Sequence, residues 1–224
     1  RSTLFPYTTL FRSRDCKGLT SITIPASVTS ISYDVFYGCS GLTSIKVEDG
    51  NSVYDSRSNC NAIIKSANNT LLYGCKTTTF PNSVTSIAEG AFGGRSDLSI
   101  VIPTSITSIQ GGVFSNCGGS TTIKVEEGNP VYDSRDNCNA IIEKESNTLI
   151  TACNNTVIPN SVTSIGSNAF AGCSDLTSIT IPNNVTSICF GAFLRCGSLT
   201  SVTLPSSVTQ IEPYAFASCY SLKS

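Results

Sequence analysis

The sequence predicts a solenoid: a rod of stacked coils, each made of a short β-strand and a tight return. Three observations carry this. Residues 176–198 read LTSITIPNNVTSICFGAFLRCGS and residues 199–221 read LTSVTLPSSVTQIEPYAFASCYS, so apolar residues recur at matching places one unit apart. Within each unit the apolar residues alternate with Ser and Thr ahead of a proline, a period of two that turns one strand face inward. The same register can be followed back to Leu19.

Each part of the unit has a reason. In Leu19-Thr-Ser-Ile-Thr-Ile-Pro25, Ile22 and Ile24 alternate with Ser21 and Thr23, and Pro25 ends the strand because it has no N–H to donate. Val28-Thr-Ser-Ile31 is a second short β-prone piece, and Phe36-Tyr-Gly-Cys39 returns the chain through a turn or one helical turn. A single unit buries too few side chains to offset the entropy of ordering it, so units must stack. A fixed period of 20–29 residues with L-x-x-I-x-I spacing marks the solenoid as a leucine-rich-repeat one.

Six repeats follow, at 19–41, 42–97, 98–119, 120–175, 176–198 and 199–221. Repeats 42–97 and 120–175 each carry an insertion of about 33 residues, and the two insertions align at an offset of 78: VEDGNSVYDSRSNCNAII against VEEGNPVYDSRDNCNAII. Ala62-Ile-Ile64 with Thr70-Leu-Leu72, and Ala140-Ile-Ile142 with Thr148-Leu-Ile150, read as two β-hairpins. Phe36, Phe92, Phe114, Phe170, Phe193 and Phe216 share one position and are expected to form a buried column, while Arg95 stands where the other units have cysteine. The expected fold is therefore a mostly β solenoid with short parallel strands, short helical turns and two hairpin insertions.

Residues 1–14 do not fit the repeat. RSTLFPYTTLFRS resembles the translation of a sequencing adapter fused to an assembled fragment, so a non-native leader is expected at 1–14 and the solenoid at 15–224; the alternative is a natural capping strand. With no Met and an unfinished unit at Leu222-Lys-Ser224, a piece of a longer chain is expected.

Composition narrows the function. The chain is 13% charged with a net charge of −1, so it has no basic field for nucleic acid. No apolar run is long enough to insert into a membrane. With no His, Ser-His-Asp and Cys-His nucleophile systems are excluded. Carboxylate pairs such as Glu48 with Asp49 and Glu126 with Glu127 start turns, where acids beside Gly and Asn are expected anyway. Glu126, Glu127, Asn129, Asp133, Asp136 and Asn137 supply oxygens that suit calcium, and Glu48, Asp49, Asn51 and Asp55 repeat the set, but turn chemistry is the simpler reading. No catalytic residue, metal site or cofactor is assigned.

The pattern LTSITIP…VTSI…AF.GCS with NCNAII insertions resembles the BspA-like leucine-rich-repeat family of bacterial surface proteins, over residues 15–224. The resemblance implies a secreted or surface-anchored protein whose relatives adhere to host matrix proteins and to other cells. It supplies no binding residues. The expected function is a non-enzymatic protein- or glycan-binding module of an extracellular adhesin; the alternative is a structural spacer within a larger surface protein.

Two sets of residues stand out on their own chemistry. Lys46 and Lys124 occupy the outward strand position where simple units have Thr, and each is followed by an insertion bringing Tyr54 or Tyr132, so charge and aromatic rings form a candidate ligand patch presented twice. The other reading has the lysines solvated and the tyrosines packing the insertion down. Cys60 with Cys75 and Cys138 with Cys153 flank the hairpins and would face each other across turns centred on 67–68 and 145–146, so they can form disulfides; alternatively Cys75 and Cys153 fill the slot of Leu19 as buried thiols.

Overall fold

The computed structural model describes residues 13–32 and 34–223, which wind through about eight coils of a β-solenoid. Residues 1–12 of the expected leader lie outside the described residues. Its described end is built in: Ser13 is buried, and its carbonyl accepts the Cys39 thiol at 2.8 Å. The first half of the rod holds β1 (Ser21–Ile24), β2 (Ser44–Val47), β3 (Tyr54–Asp55), β4 (Ile63–Lys65), β5 (Thr70–Tyr73), β6 (Ser86–Ile87), β7 (Ser99–Ile102) and β8 (Ser108–Ile109). The second holds β9 (Thr122–Val125), β10 (Tyr132–Asp133), β11 (Ile141–Glu143), β12 (Thr148–Thr151), β13 (Ser164–Ile165), β14 (Ser178–Thr180), β15 (Ser187–Ile188), β16 (Ser201–Thr203) and β17 (Gln210–Ile211).

These strands form two rows. The front row is the L-x-x-I-x-I strand, as predicted, with Ile or Val inward and Ser, Thr, Lys or Val outward. It is broken into three parallel pairs, β1–β2, β7–β9 and β14–β16. The side row runs β3-β4-β5-β6-β8 and then β10-β11-β12-β13-β15-β17. The expected hairpins are present as antiparallel β4–β5 and β11–β12, each extended by a third strand, β3 or β10. Their return strands then pair in parallel with β6 and β13, so each insertion is a coil of the rod and not a decoration on it.

The front row breaks for a local reason. In the second coil of each long repeat the inward Ile is replaced by Thr78 or Thr156. Each hydroxyl accepts the N–H of its own coil's Cys75 or Cys153 (2.7 and 3.0 Å) and donates to the Asn61 or Asn139 carbonyl (2.8 Å in both). A threonine that bonds its own backbone competes with the sheet ladder, and no front strand forms there.

Of the two returns expected at the phenylalanines, a turn or one helical turn, the chain uses the turn. The returns at the phenylalanines are tight turns, and the described residues include helical geometry only as 3-10 turns at Arg57–Asn59 and Arg135–Asn137. Each return ends in a left-handed residue, at Gly38, Gly94, Asn116, Gly172, Arg195 and Ser218 (φ between 56° and 70°). That geometry aims the turn amides along the rod, as in Gly94 N–H to the Ser115 carbonyl at 2.8 Å.

The core lies between the rows. Phe92 stacks on Phe114 (5.4 Å), and Phe170 on Phe193 (4.9 Å), which stacks on Phe216 (5.2 Å). The expected single column is thus interrupted where each hairpin coil passes through; at the first interruption Tyr73 meets Phe36 edge-on at 5.4 Å. The repeat cysteines are donors as well as packing: the thiols of Cys117, Cys196 and Cys219 donate to the carbonyls of Phe92, Phe170 and Phe193 in the turn before (3.1, 3.2 and 3.1 Å). Burial pushes the Cys117 and Cys196 thiols up to about 12, so they stay protonated. Among the described residues, no helix is long and apolar enough to cross a membrane.

Candidate binding face

The front row presents the outward face. Thr23 pairs with Lys46, Val101 with Lys124 and Thr180 with Thr203, and all six side chains are exposed. Lys46 and Lys124 are the charged members of this face, as the sequence indicated. They do not lie in one unbroken row, because the coil at residues 75–80 contributes no strand between β2 and β7.

The tyrosines are not part of the face. Tyr54 and Tyr132 are 6% and 4% exposed, and their hydroxyls accept the backbone N–H of Ile31 (3.2 Å) and Ile109 (2.9 Å). Each oxygen takes the place of a neighbouring strand's carbonyl at the point where the side-row ladder stops. The candidate patch is corrected accordingly: the lysines stay on the surface and the tyrosines splice the insertions to the preceding coil.

Six of the acidic and amide residues weighed for calcium, Glu48, Asn51, Asp55, Glu126, Asn129 and Asp133, are also engaged. The Asn129 side chain donates to the Pro103 and Ile106 carbonyls (2.8 and 2.9 Å) and accepts the Val131 and Tyr132 N–H groups (both 2.9 Å); Asn51 does the same one duplication earlier. Glu48 and Glu126 each accept a turn N–H of the previous coil, from Ala26 (3.0 Å) and Thr104 (2.9 Å). Asp55 and Asp133 are clamped by Arg57 and Arg135 at 2.5 and 2.8 Å. Burial pushes the Asp55 carboxyl up, but the hydrogen bonds from Arg57 and Ser66 outweigh it and hold the group below the usual carboxylate range. Ser56 and Ser134 hydroxyls accept the outward N–H of Val47 and Val125 (2.9 and 3.0 Å), capping one outward N–H on each of β2 and β9.

The hairpin cysteines stand apart from one another. Cys60, Cys75, Cys138 and Cys153 are free thiols, and each hairpin carries a bulge, between Ile63 and Ile64 and between Ile141 and Ile142. The bulge shifts the pairing by one residue, and a one-residue shift sends side chains to opposite faces. Cys60 packs in the same cluster as Phe92, whereas Cys75 packs in the cluster of Phe36. Cys75 and Cys153 therefore occupy the Leu19 slot, the second of the two sequence readings.

Two grooves open where the front row breaks, and sequence reasoning did not find them. One, of about 280 Å³, lies between β9 and the next coil and is lined by Lys124, Ser134, Asn137, Asn139 and Asn155. The other, of about 370 Å³, lies between residues 156–158 and β14. The available signal was the inverted polarity of Thr156-Val157-Ile158 against Ile179-Thr180-Ile181: a buried Thr where Ile belongs, and a 73%-exposed Val157 where Thr belongs.

Comparison with known proteins gives the same picture. The pneumococcal vaccine antigen PcpA has a similar structure (TM-score 0.57, 18% identity over 92% of this chain), and the chain spans about half (50%) of it. A leucine-rich cell surface protein from Faecalibacterium prausnitzii A2-165 is similar at a TM-score of 0.50, with 25% identity over 92% of this chain and 72% of that one. A search of the curated proteins finds no match. The model of the BspA type leucine rich repeat region matches residues 9–129 and 140–224 in six copies, so the chain belongs to that family.

Proposed function

We propose that the chain is a non-enzymatic binding module of a bacterial surface adhesin, and that its front face is the binding surface for proteins or glycans of the host matrix or of other cells. The observation that carries the reading is the placement of Lys46 and Lys124. They are exposed on an otherwise Ser- and Thr-rich strand face, while the neighbouring polar residues of the insertions are consumed by backbone capping. A solenoid in which every polar group served stacking would need no lysine there. The surface setting is supported by the family and by the similarity to a leucine-rich cell surface protein.

The test is a screen of host matrix proteins and oligosaccharides, followed by the double variant Lys46→Glu with Lys124→Glu. Binding should weaken at least tenfold, ~1.4 kcal/mol, with an unchanged melting temperature. Unchanged affinity would move the site off this face, and the absence of any ligand in a broad screen would favour the spacer.

A further inference from the structure

At the second break of the front row, the edge of β14 lies open over a groove. β14 pairs with β16 on one side only, and Thr177 turns its carbonyl to β16's coil, accepting the Thr200 N–H at 3.1 Å. Backbone groups alternate in direction along a strand, so Ile179 also faces β16, while the N–H and C=O of Ser178 and Thr180 face the coil at residues 154–157. In an unbroken row that coil would supply the partner strand. Here it turns away: Thr156 N–H goes back to the Cys153 carbonyl (3.1 Å) and Val157 N–H to the Cys138 carbonyl (3.1 Å). Among the described residues, no group pairs the outward N–H and C=O of Ser178 and Thr180.

The contrast with β9 is informative. Its outward N–H groups are plugged by side chains, Ile123 by Asn139 at 2.7 Å and Val125 by Ser134 at 3.0 Å. Natural sheets blunt exposed edges with charges, prolines or bulges. The edge of β14 has none of these within Ser178–Thr180. The groove beside it, about 370 Å³, is lined by Thr, Val, Ile, Asn, Ser and Pro. It holds no charge for an anionic ligand and no ring on which a sugar could stack. It holds two outward-facing peptide groups one strand period apart and an exposed valine, Val157, beside them.

We propose that this groove binds an extended peptide segment of a partner protein, which adds to the open edge of β14 as a further strand. Main-chain hydrogen bonds to Ser178 and Thr180 supply the affinity, and Val157 offers an apolar contact to one alternate side chain. The proposal rests on the reading that the front face is the binding face, and it names the partner chemistry there.

The test uses the full chain, labelled with nitrogen-15, and the peptide acetyl-Thr-Val-Thr-Val-Thr-amide titrated into the millimolar range. The expected signature alternates: the amides of Ser178 and Thr180 shift and gain exchange protection, and the amide of Ile179 between them does not. Thr180→Pro removes one outward N–H without touching the β16 ladder, as proline is tolerated on an edge, and should weaken peptide binding at least tenfold. Should that variant fail to fold, the same peptide N-methylated at every residue decides the matter on the unaltered protein, because neither of its edges has a residue N–H left to donate. Strand addition is overturned if the N-methylated peptide binds as well as the parent, if the shifts fall elsewhere, or if oligosaccharides move these amides and the peptide does not. A ligand lost with the two lysines that leaves Ser178 and Thr180 unmoved would uphold front-face binding and overturn strand addition alone.

Discussion

Arg95 is a fully buried cation, and replacing it tests what holds the first duplicated half together. Arg95 occupies the position where the other turns carry cysteine, and it is 1% exposed. Its Nε donates to the Gly74 carbonyl at 2.7 Å and its Nη1 to the Phe36 and Cys39 carbonyls at 3.4 and 3.3 Å. Cys117, Cys196 and Cys219 reach the phenylalanine carbonyl one coil away. Between the turns at Phe36 and Phe92 the hairpin coil intervenes, and only a long forked side chain spans both. Burial lowers the pKa of the guanidinium, and none of the ion pairs among the described residues includes it.

Two effects compete in Arg95→Met. Losing the short, charged bond costs about 1.5–3 kcal/mol and the two long ones about 0.5 kcal/mol each, since the carbonyls stay buried. Removing a buried unpaired charge returns part of its desolvation cost. Because three carbonyls already solvate the cation, we expect the bonds to win, with a net loss of about 2–3 kcal/mol. For a chain of this size that lowers the melting temperature by about 5–10 °C. Arg95→Lys keeps the charge but not the fork, and should fall between the two. The measurement is denaturant unfolding of all three proteins, with amide exchange at Gly38 and Cys39 as a local probe. A methionine variant as stable as the parent, or more so, would refute the reasoning, because the desolvation of the cation would then exceed what its bonds return.

Two other outcomes follow from the same geometry. Tyr132→Phe leaves the Ile109 N–H buried without an acceptor and should cost about 1–3 kcal/mol in unfolding experiments; a neutral change would mean that the hydroxyl is not the splice between the ladders. In unreduced protein, Cys60, Cys75, Cys138 and Cys153 should all be alkylated once unfolded and should resist alkylation while folded, as mass spectrometry would show; a mass change on reduction alone would indicate paired thiols and a different hairpin register.

The stacking was legible because it is written with a period. Ile22 and Ile45, and again Ile100 and Ile123, sit 23 residues apart, and alternation over four residues is enough to orient a strand. The breaks in the front row were harder to see. Residues 42–97 look like one unit with an insertion, because only one of its two coils keeps the L-x-x-I-x-I spacing. The second coil differs by a single decisive exchange, Thr78 for the inward Ile, and the consequence depends on where that hydroxyl finds its partners. The tyrosines failed for another reason. β3 and β10 are two residues long, too short for any alternation to show which way Tyr54 or Tyr132 points. The cysteine pairing failed on a bulge, which counting outward from a turn cannot include.

The duplication sorts the remaining residues. The insertion clamps are the same in both halves: Asn51 and Asn129, Asp55–Arg57 and Asp133–Arg135, Ser56 and Ser134 make matching bonds at an offset of 78. What both halves share in this way is what closing a coil requires. Lys46 and Lys124 are also shared, and both are exposed on the front row, where the proposed ligand would meet them. Around them the halves diverge. Thr77 bonds the Thr43 carbonyl at the first break, whereas its counterpart Asn155 accepts from the Asn139 side chain at the second. Outward Thr79 answers to exposed Val157, and Arg95 to Cys173. A ligand that reads only the lysines meets two similar patches, and a bivalent one would gain from both. A ligand that also reads the groove beside β14 meets the one flanked by Val157, so its stoichiometry, two per chain or one, separates the two modes of recognition.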